Sequence, residues 1–125
     1  MPMTYTIDRE ARLVQIVGAG RLTDEEMVEC VSTLRKDSRL EPDMNTLSDM
    51  REIEVAFTPQ SVSAMIEVME RSAERRSSAR AAIVVSSDIA FGMGRMFELQ
   101  ADERVDPTLR IFRDIRAARE WLGID

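Results

Sequence analysis

A chain of 125 residues suits a single domain, here residues 1–125, and buries roughly two-thirds of the surface that its unfolded form exposes, so its core needs no metal or disulfide. Its 23 acidic against 17 basic residues give a net charge of -6, which works against a nucleic-acid backbone or an anionic membrane as the main partner. Histidine is missing, Lys36 is the one lysine and Cys30 the one cysteine; the commonest general base, the commonest zinc ligand and any intramolecular disulfide are thereby excluded.

Tyr5–Ile7 and Leu13–Val17 are short β-type runs joined by Asp8-Arg9-Glu10-Ala11, the length of a hairpin connection, and Gly18-Ala19-Gly20 is expected to end the second strand. Thr23 and Glu26 stand at the capping-box spacing, so a helix from about Asp24 to Lys36 follows, with Met27, Cys30, Val31 and Leu34 on its inner stripe. On that stripe Cys30 reads as a small core residue rather than a reactive thiol. Asn45–Met50 is the next strand, and Ile53–Phe57 connects it to Thr58-Pro59, a cap followed by a proline at the first helical position. That helix carries Val62, Met65, Ile66, Met69 and Ala73 inward and ends near Arg76. Arg71, Arg75, Arg76 and Arg80 read as complements to its dipole rather than as a phosphate patch.

Ala81–Val85 is an uncharged, β-branched run of the kind found in a strand buried on both faces. Ser86, Ser87 and Asp88 break it and open a helix whose spacing puts Ile89, Met93, Met96 and Phe97 on one stripe. A polar loop at Ala101–Pro107, a last strand at Leu109–Phe112 and a closing helix complete the chain. Asp114 caps that helix, Ile115, Ala118 and Leu122 face inward, Trp121 packs in or near the core, and Gly123 terminates it. Repeated strand-helix units imply right-handed crossovers, hence an α/β fold with a mainly parallel sheet and an antiparallel N-terminal hairpin.

Ligands of open α/β sheets gather beyond the carboxyl ends of the strands. That edge collects Asp49, Arg51, Thr58, Ser61, Ser86, Ser87, Asp88, Arg113 and Asp114. Each also has an ordinary structural reading as a cap, turn former or local ion pair, and the hydroxyls have no histidine to activate them. Phe91, Met93, Met96 and Phe97 form an apolar group interleaved with Gly92 and Gly94. Two helical glycines imply close approach by a backbone, a ligand or a partner, and methionines adapt to irregular apolar shapes; the same residues also read as an ordinary core stripe beside tight helix-strand packing.

The opening hairpin, Gly20-Arg21-Leu22-Thr23-Asp24-Glu25-Glu26, Leu47-Ser48-Asp49-Met50-Arg51, Phe57-Thr58-Pro59, Phe91-Gly92-Met93-Gly94-Arg95-Met96 and the ending Ile111-Phe112-Arg113-Asp114 to Trp121-Leu122-Gly123 resemble the SpoIIAA-like (STAS/SEC14-domain) family over almost the whole length. The resemblance implies a sheet of successive β-α units. Its anti-sigma-factor-antagonist branch implies a phosphorylatable serine at the start of the helix after the third strand, and a protein partner. The matching stretch here, Thr58-Pro59-Gln60-Ser61, departs from the Asp-Ser-Ser-Gly type of that branch. The SEC14 side implies instead an apolar small-molecule or lipid site.

Two functions are therefore expected. One is a non-enzymatic regulatory or protein-interaction module, cytoplasmic, without cofactor, metal or membrane span, open to phospho-regulation and to homodimer formation. The other is a binder of an apolar or anionic small molecule at the carboxyl edge of the sheet.

Overall fold

The computed structural model describes residues 2–71, 79–102 and 108–124. Strands β1 (Met3–Asp8) and β2 (Leu13–Thr23) are followed by α1 (Asp24–Lys36), β3 (Asn45–Ala56), α2 (Pro59–Glu70), β4 (Arg80–Val84), α3 (Asp88–Asp102), β5 (Thr108–Phe112) and α4 (Ile115–Leu122). The strands lie in sequence order across one five-stranded sheet, β1 antiparallel to β2 and every other pair parallel. A strand order without reversal keeps successive right-handed crossovers on one face. Accordingly α1, α2 and α3 share one apolar layer with that face, while Ala118 and Leu122 of α4 pack with Leu13, Leu47, Ala82 and Val84 on the other.

β4 is the most enclosed strand. Ala81, Ala82 and Val84 are buried, with Val85 just beyond the strand, as cover by helices on both faces requires. Beyond Leu13, no helix among the described residues covers β1 and β2 on the second face. Thr4, Thr6 and Gln15 are exposed there, with Val17 at 49% exposure among them.

Strands β2 and β3 run further than their sequence implies. Gly18 does not end β2: a Cβ there would stand 2.5 Å from the Met50 sulfur and 2.9 Å from Ile53, so glycine serves close packing within a continuing strand. The register shifts between Val17 and Ala19, where β3 carries one residue more than β2. Pairing then resumes as Gly20 with Ile53 and Leu22 with Val55, which carries Ile53–Phe57 onto the helix-covered face instead of into a connection. The shift re-aims the alternation, and no local sequence period shows it.

The helix ends follow their sequence signals. Thr23 accepts from the Glu26 N–H while the Glu26 carboxylate accepts from the Thr23 N–H, a complete capping box. Asp114 caps α4, and Gly123 closes it in the left-handed conformation at φ 76°. Two expectations are corrected. Ile89 is 63% exposed because the stripe that meets the sheet is Ala90, Phe97 and Ala101, one residue out of phase with it. Cys30 is half-buried rather than a core residue. Trp121 packs beside the core as expected, half-buried against the layer under α4, its ring 5.7 Å from that of Phe112, with Arg80 and Arg110 over it. Ala73, Arg75, Arg76 and the last part of the Ala101–Pro107 loop lie outside the described residues.

Candidate functional site

The polar residues expected at the carboxyl edge are held in two groups. In the first, Asp49 takes two hydrogen bonds from the Arg51 guanidinium, at 2.8 and 2.7 Å, and one from the Arg51 N–H. That guanidinium holds the Asp49 carboxyl below the usual carboxylate range. Ser86 donates to the Arg51 carbonyl at 2.6 Å, tying the end of β4 to β3. Ser87 accepts from the Ala90 N–H at 3.1 Å and so caps α3. Arg113 reaches Asp88 at 2.8 Å and lies 4.6 Å above the Phe91 ring. The Asp88 side chain is 96% exposed, so this ion pair is of the kind that contributes at most about 1 kcal/mol.

In the second group, Asp24 at the start of α1 accepts from the Thr58 N–H at 2.6 Å and from its hydroxyl at 3.0 Å. Thr58 stands at the N-cap of α2 with Pro59 behind it, as expected. Its hydroxyl nevertheless caps nothing in α2: it is turned to donate to the Asp24 carboxylate. Those bonds, the backbone one first, hold the Asp24 carboxyl below its ordinary pKa. Ser61 is 2% exposed and donates to the Thr58 carbonyl at 2.9 Å within the first turn of α2.

Every hydroxyl and acid of the two groups thus has a structural partner. Among the described residues no group of three His, Cys, Asp or Glu side chains is placed to hold a metal ion, and no helix is long and apolar enough to cross a membrane.

The apolar residues gather differently. Between the sheet and helices α1, α2 and α3 lies a cavity of about 100 Å³. Met93, Gly94 and Phe97 of α3 line it, as does Ala90. Met96 does not, and Phe91 is engaged with Arg113 instead. The rest of the wall comes from residues not singled out as a site: Met3, Ile16, Leu22, Met27, Val31, Met50, Ile53, Phe57, Val62, Met65, Ile83 and Val85, together with Ser48. Met50, Ile53 and Phe57 place it against the carboxyl-terminal part of β3, and Ile53, Phe57 and Met93 are half-buried, which puts them on its solvent side.

Five of the chain's nine methionines line the cavity, from β1, α1, β3, α2 and α3. That convergence is legible only once the topology is known, although the methionine count hints at it. Ser48 is the single polar side chain of the wall. It is buried, and its hydroxyl has no side-chain or backbone partner among the described residues.

The model of the family described as SpoIIAA-like matches residues 13–123. No curated protein matches the chain significantly. A crystal structure of an uncharacterised protein of the DUF3478 family with a SpoIIAA-like fold, from Shewanella loihica PV-4, is similar at a TM-score of 0.62 and 18% sequence identity, with 96% of this chain and 93% of that one covered. With the family model spanning all the elements from β2 to α4, the chain belongs to the SpoIIAA-like family.

Proposed function

We propose that this protein is a non-enzymatic module that binds an apolar small molecule, taking an alkyl chain end or a small ring into the cavity beneath α3. The observation that carries the reading is the cavity itself: about 100 Å³ of space beside Met93, Gly94 and Phe97, walled by apolar side chains with the Ser48 hydroxyl among them. Packed interiors leave few voids larger than a water molecule, and an apolar void of about 150 Å³ takes up benzene. Methionine walls adapt to the shape of an occupant, and one free hydroxyl suits a ligand with one hydrogen-bonding group. None of the residues lining the cavity titrates, which suits binding rather than proton transfer.

A phospho-regulated interaction module is the other reading of the fold. Ser61 is its only candidate serine in the matching stretch, and that residue is buried, donates inward, and has Asp24 and Glu25 beside it in the same surface hollow. A phosphate placed there meets like charge and loses the turn that Ser61 closes.

Titration with 1-hexanol, followed through the methionine methyl resonances, tests the proposal. Shifts confined to Met3, Met27, Met50, Met65 and Met93, with Met44 and Met69 unmoved, are expected. Methyl resonances that stay in place at saturating alcohol would rule the cavity out as a ligand site. Intact mass of the protein isolated from its own host adds a second readout: a species lost on denaturation supports the reading, and a covalent addition mapped to Thr58 or Ser61 restores the phospho-switch.

A further inference from the structure

The sheet has two edges, and among the described residues only one is closed by the protein's own side chains. On β5 the outward N–H of Ile111 donates to the Glu98 carboxylate of α3 at 2.8 Å. A buried or charged cover of this kind keeps an edge strand from pairing with another chain. On β1 the 2.8 Å bond from the Ala19 N–H to the Pro2 carbonyl marks Pro2 and Ala19 as a directly opposed, hydrogen-bonded pair. Alternation along the antiparallel ladder then turns Thr4, Thr6 and Asp8 toward β2, and turns the N–H and C=O groups of Met3, Tyr5 and Ile7 outward.

Among the described residues no side chain bonds to those outward groups, and the strand carries no lysine, internal proline or bulge to discourage pairing. Beside this edge runs a groove of about 430 Å³ between β1 and α1. Tyr5 lines it on the strand side, and Glu26, Glu29, Cys30 and Thr33 on the helix side. Its two charged residues are both acidic, and none of its lining residues is cationic.

We propose that β1 binds an extended, cationic segment of a partner protein as a sixth strand, with main-chain bonds to Met3, Tyr5 and Ile7 and basic side chains reaching Glu26 and Glu29. Backbone pairing supplies affinity in this mode, and pockets for alternate side chains supply selectivity. A second copy of the chain fits less well. Pairing β1 with its own mate about a two-fold axis sets both α1 helices on the same face, with their glutamates opposed across the axis, in a chain that already carries a net charge of -6. The inference does not rest on the cavity, although Met3 lines both the cavity and the groove.

The test uses the full chain and an acetylated, amidated heptapeptide of alternating lysine and valine. Adding it should slow amide exchange at Met3, Tyr5 and Ile7 by about tenfold or more while Ile111 is unchanged, and a glutamate-valine peptide should not bind. Tyr5→Pro removes one outward donor and leaves the β2 ladder intact; affinity should fall by about tenfold. Glu29→Lys, at an exposed position, should weaken binding about threefold to fivefold and flatten its salt dependence, and it decides the matter if the proline variant does not fold. Salt-sensitive binding without protection of the three amides would overturn the proposal, as charge attraction alone. Concentration-dependent protection of the same amides with no peptide present would overturn it in favour of a second copy.

Discussion

Gly92 and Gly94 sit two residues apart in α3 under opposite constraints. A Cβ at Gly94 would stand 2.3 Å from Cδ1 and 2.8 Å from Cγ1 of Ile111, so the helix meets β5 at a distance only glycine permits. At Gly92 nothing lies within 4 Å of the added carbon. Gly94→Ala should therefore cost about 1–3 kcal/mol through forced repacking of Ile111, whereas Gly92→Ala should gain about 0.5–1 kcal/mol from helix propensity. Urea unfolding of the two variants checks both signs. Of the close approaches that two helical glycines imply in the sequence, this one is made by the protein's own β5.

Asp37 offers a second test at the same scale. The Arg39 guanidinium, at 3.0 and 2.7 Å, the Arg39 N–H and the Tyr5 hydroxyl all donate to its carboxylate and hold it well below the usual carboxylate range. A folded value below the unfolded one means that the contribution is fully present above about pH 4 and is lost as pH falls through the folded value. Asp37→Asn should thus lower the melting temperature at neutral pH and leave a shallower decline in acid. Asp24 and Asp49, also held low, keep part of that slope in the variant. Melting curves recorded from neutral pH down to about pH 2 measure it.

Among the elements, α1 begins where its sequence says because the cap is local: Thr23 and Glu26 satisfy each other's backbone within one turn. Thr23→Ala should destabilise by about 1 kcal/mol, read by chemical denaturation, with Thr23→Ser close to the parent. Features of this kind were legible in the chain. The Pro59 start of α2, the Asp114 cap, Gly123 and the uncharged run of β4 each depend on residues within a turn or a strand of one another. The extensions of β2 and β3 were not, because Gly18 and Gly20 resemble a stop and only the partner strand shows that Met50 and Ile53 need the space.

The candidate site divides in the same way. Met93 and Phe97 were identifiable from a helical stripe, but the opposite wall, from Met3 to Met65, is assembled by topology from elements far apart in sequence. The polar edge residues were recognised by type and place. Their pairing, Asp49 with Arg51, Asp88 with Arg113 and Thr58 with Asp24, is a property of the fold.

On the scale of the whole molecule, three helices of the described residues share one face of the sheet and a single short one covers part of the other. Near the carboxyl end of the strands the layer beneath α1, α2 and α3 sets five flexible methionines among its branched side chains, and that is where space remains. Ligand binding to such a space is coupled to folding, because the unfolded chain has no cavity. At a free hexanol concentration a hundredfold above its dissociation constant, the unfolding free energy should rise by about 2.7 kcal/mol. Ala90, 4% exposed on the cavity wall, offers the control. Ala90→Leu fills the space and should itself raise stability by about 0.5–2 kcal/mol while abolishing the hexanol-dependent increment. Were the increment to survive that substitution, the alcohol would be acting elsewhere on the molecule; were stability to fall sharply, the space beneath α3 would be too tightly walled to admit a ligand.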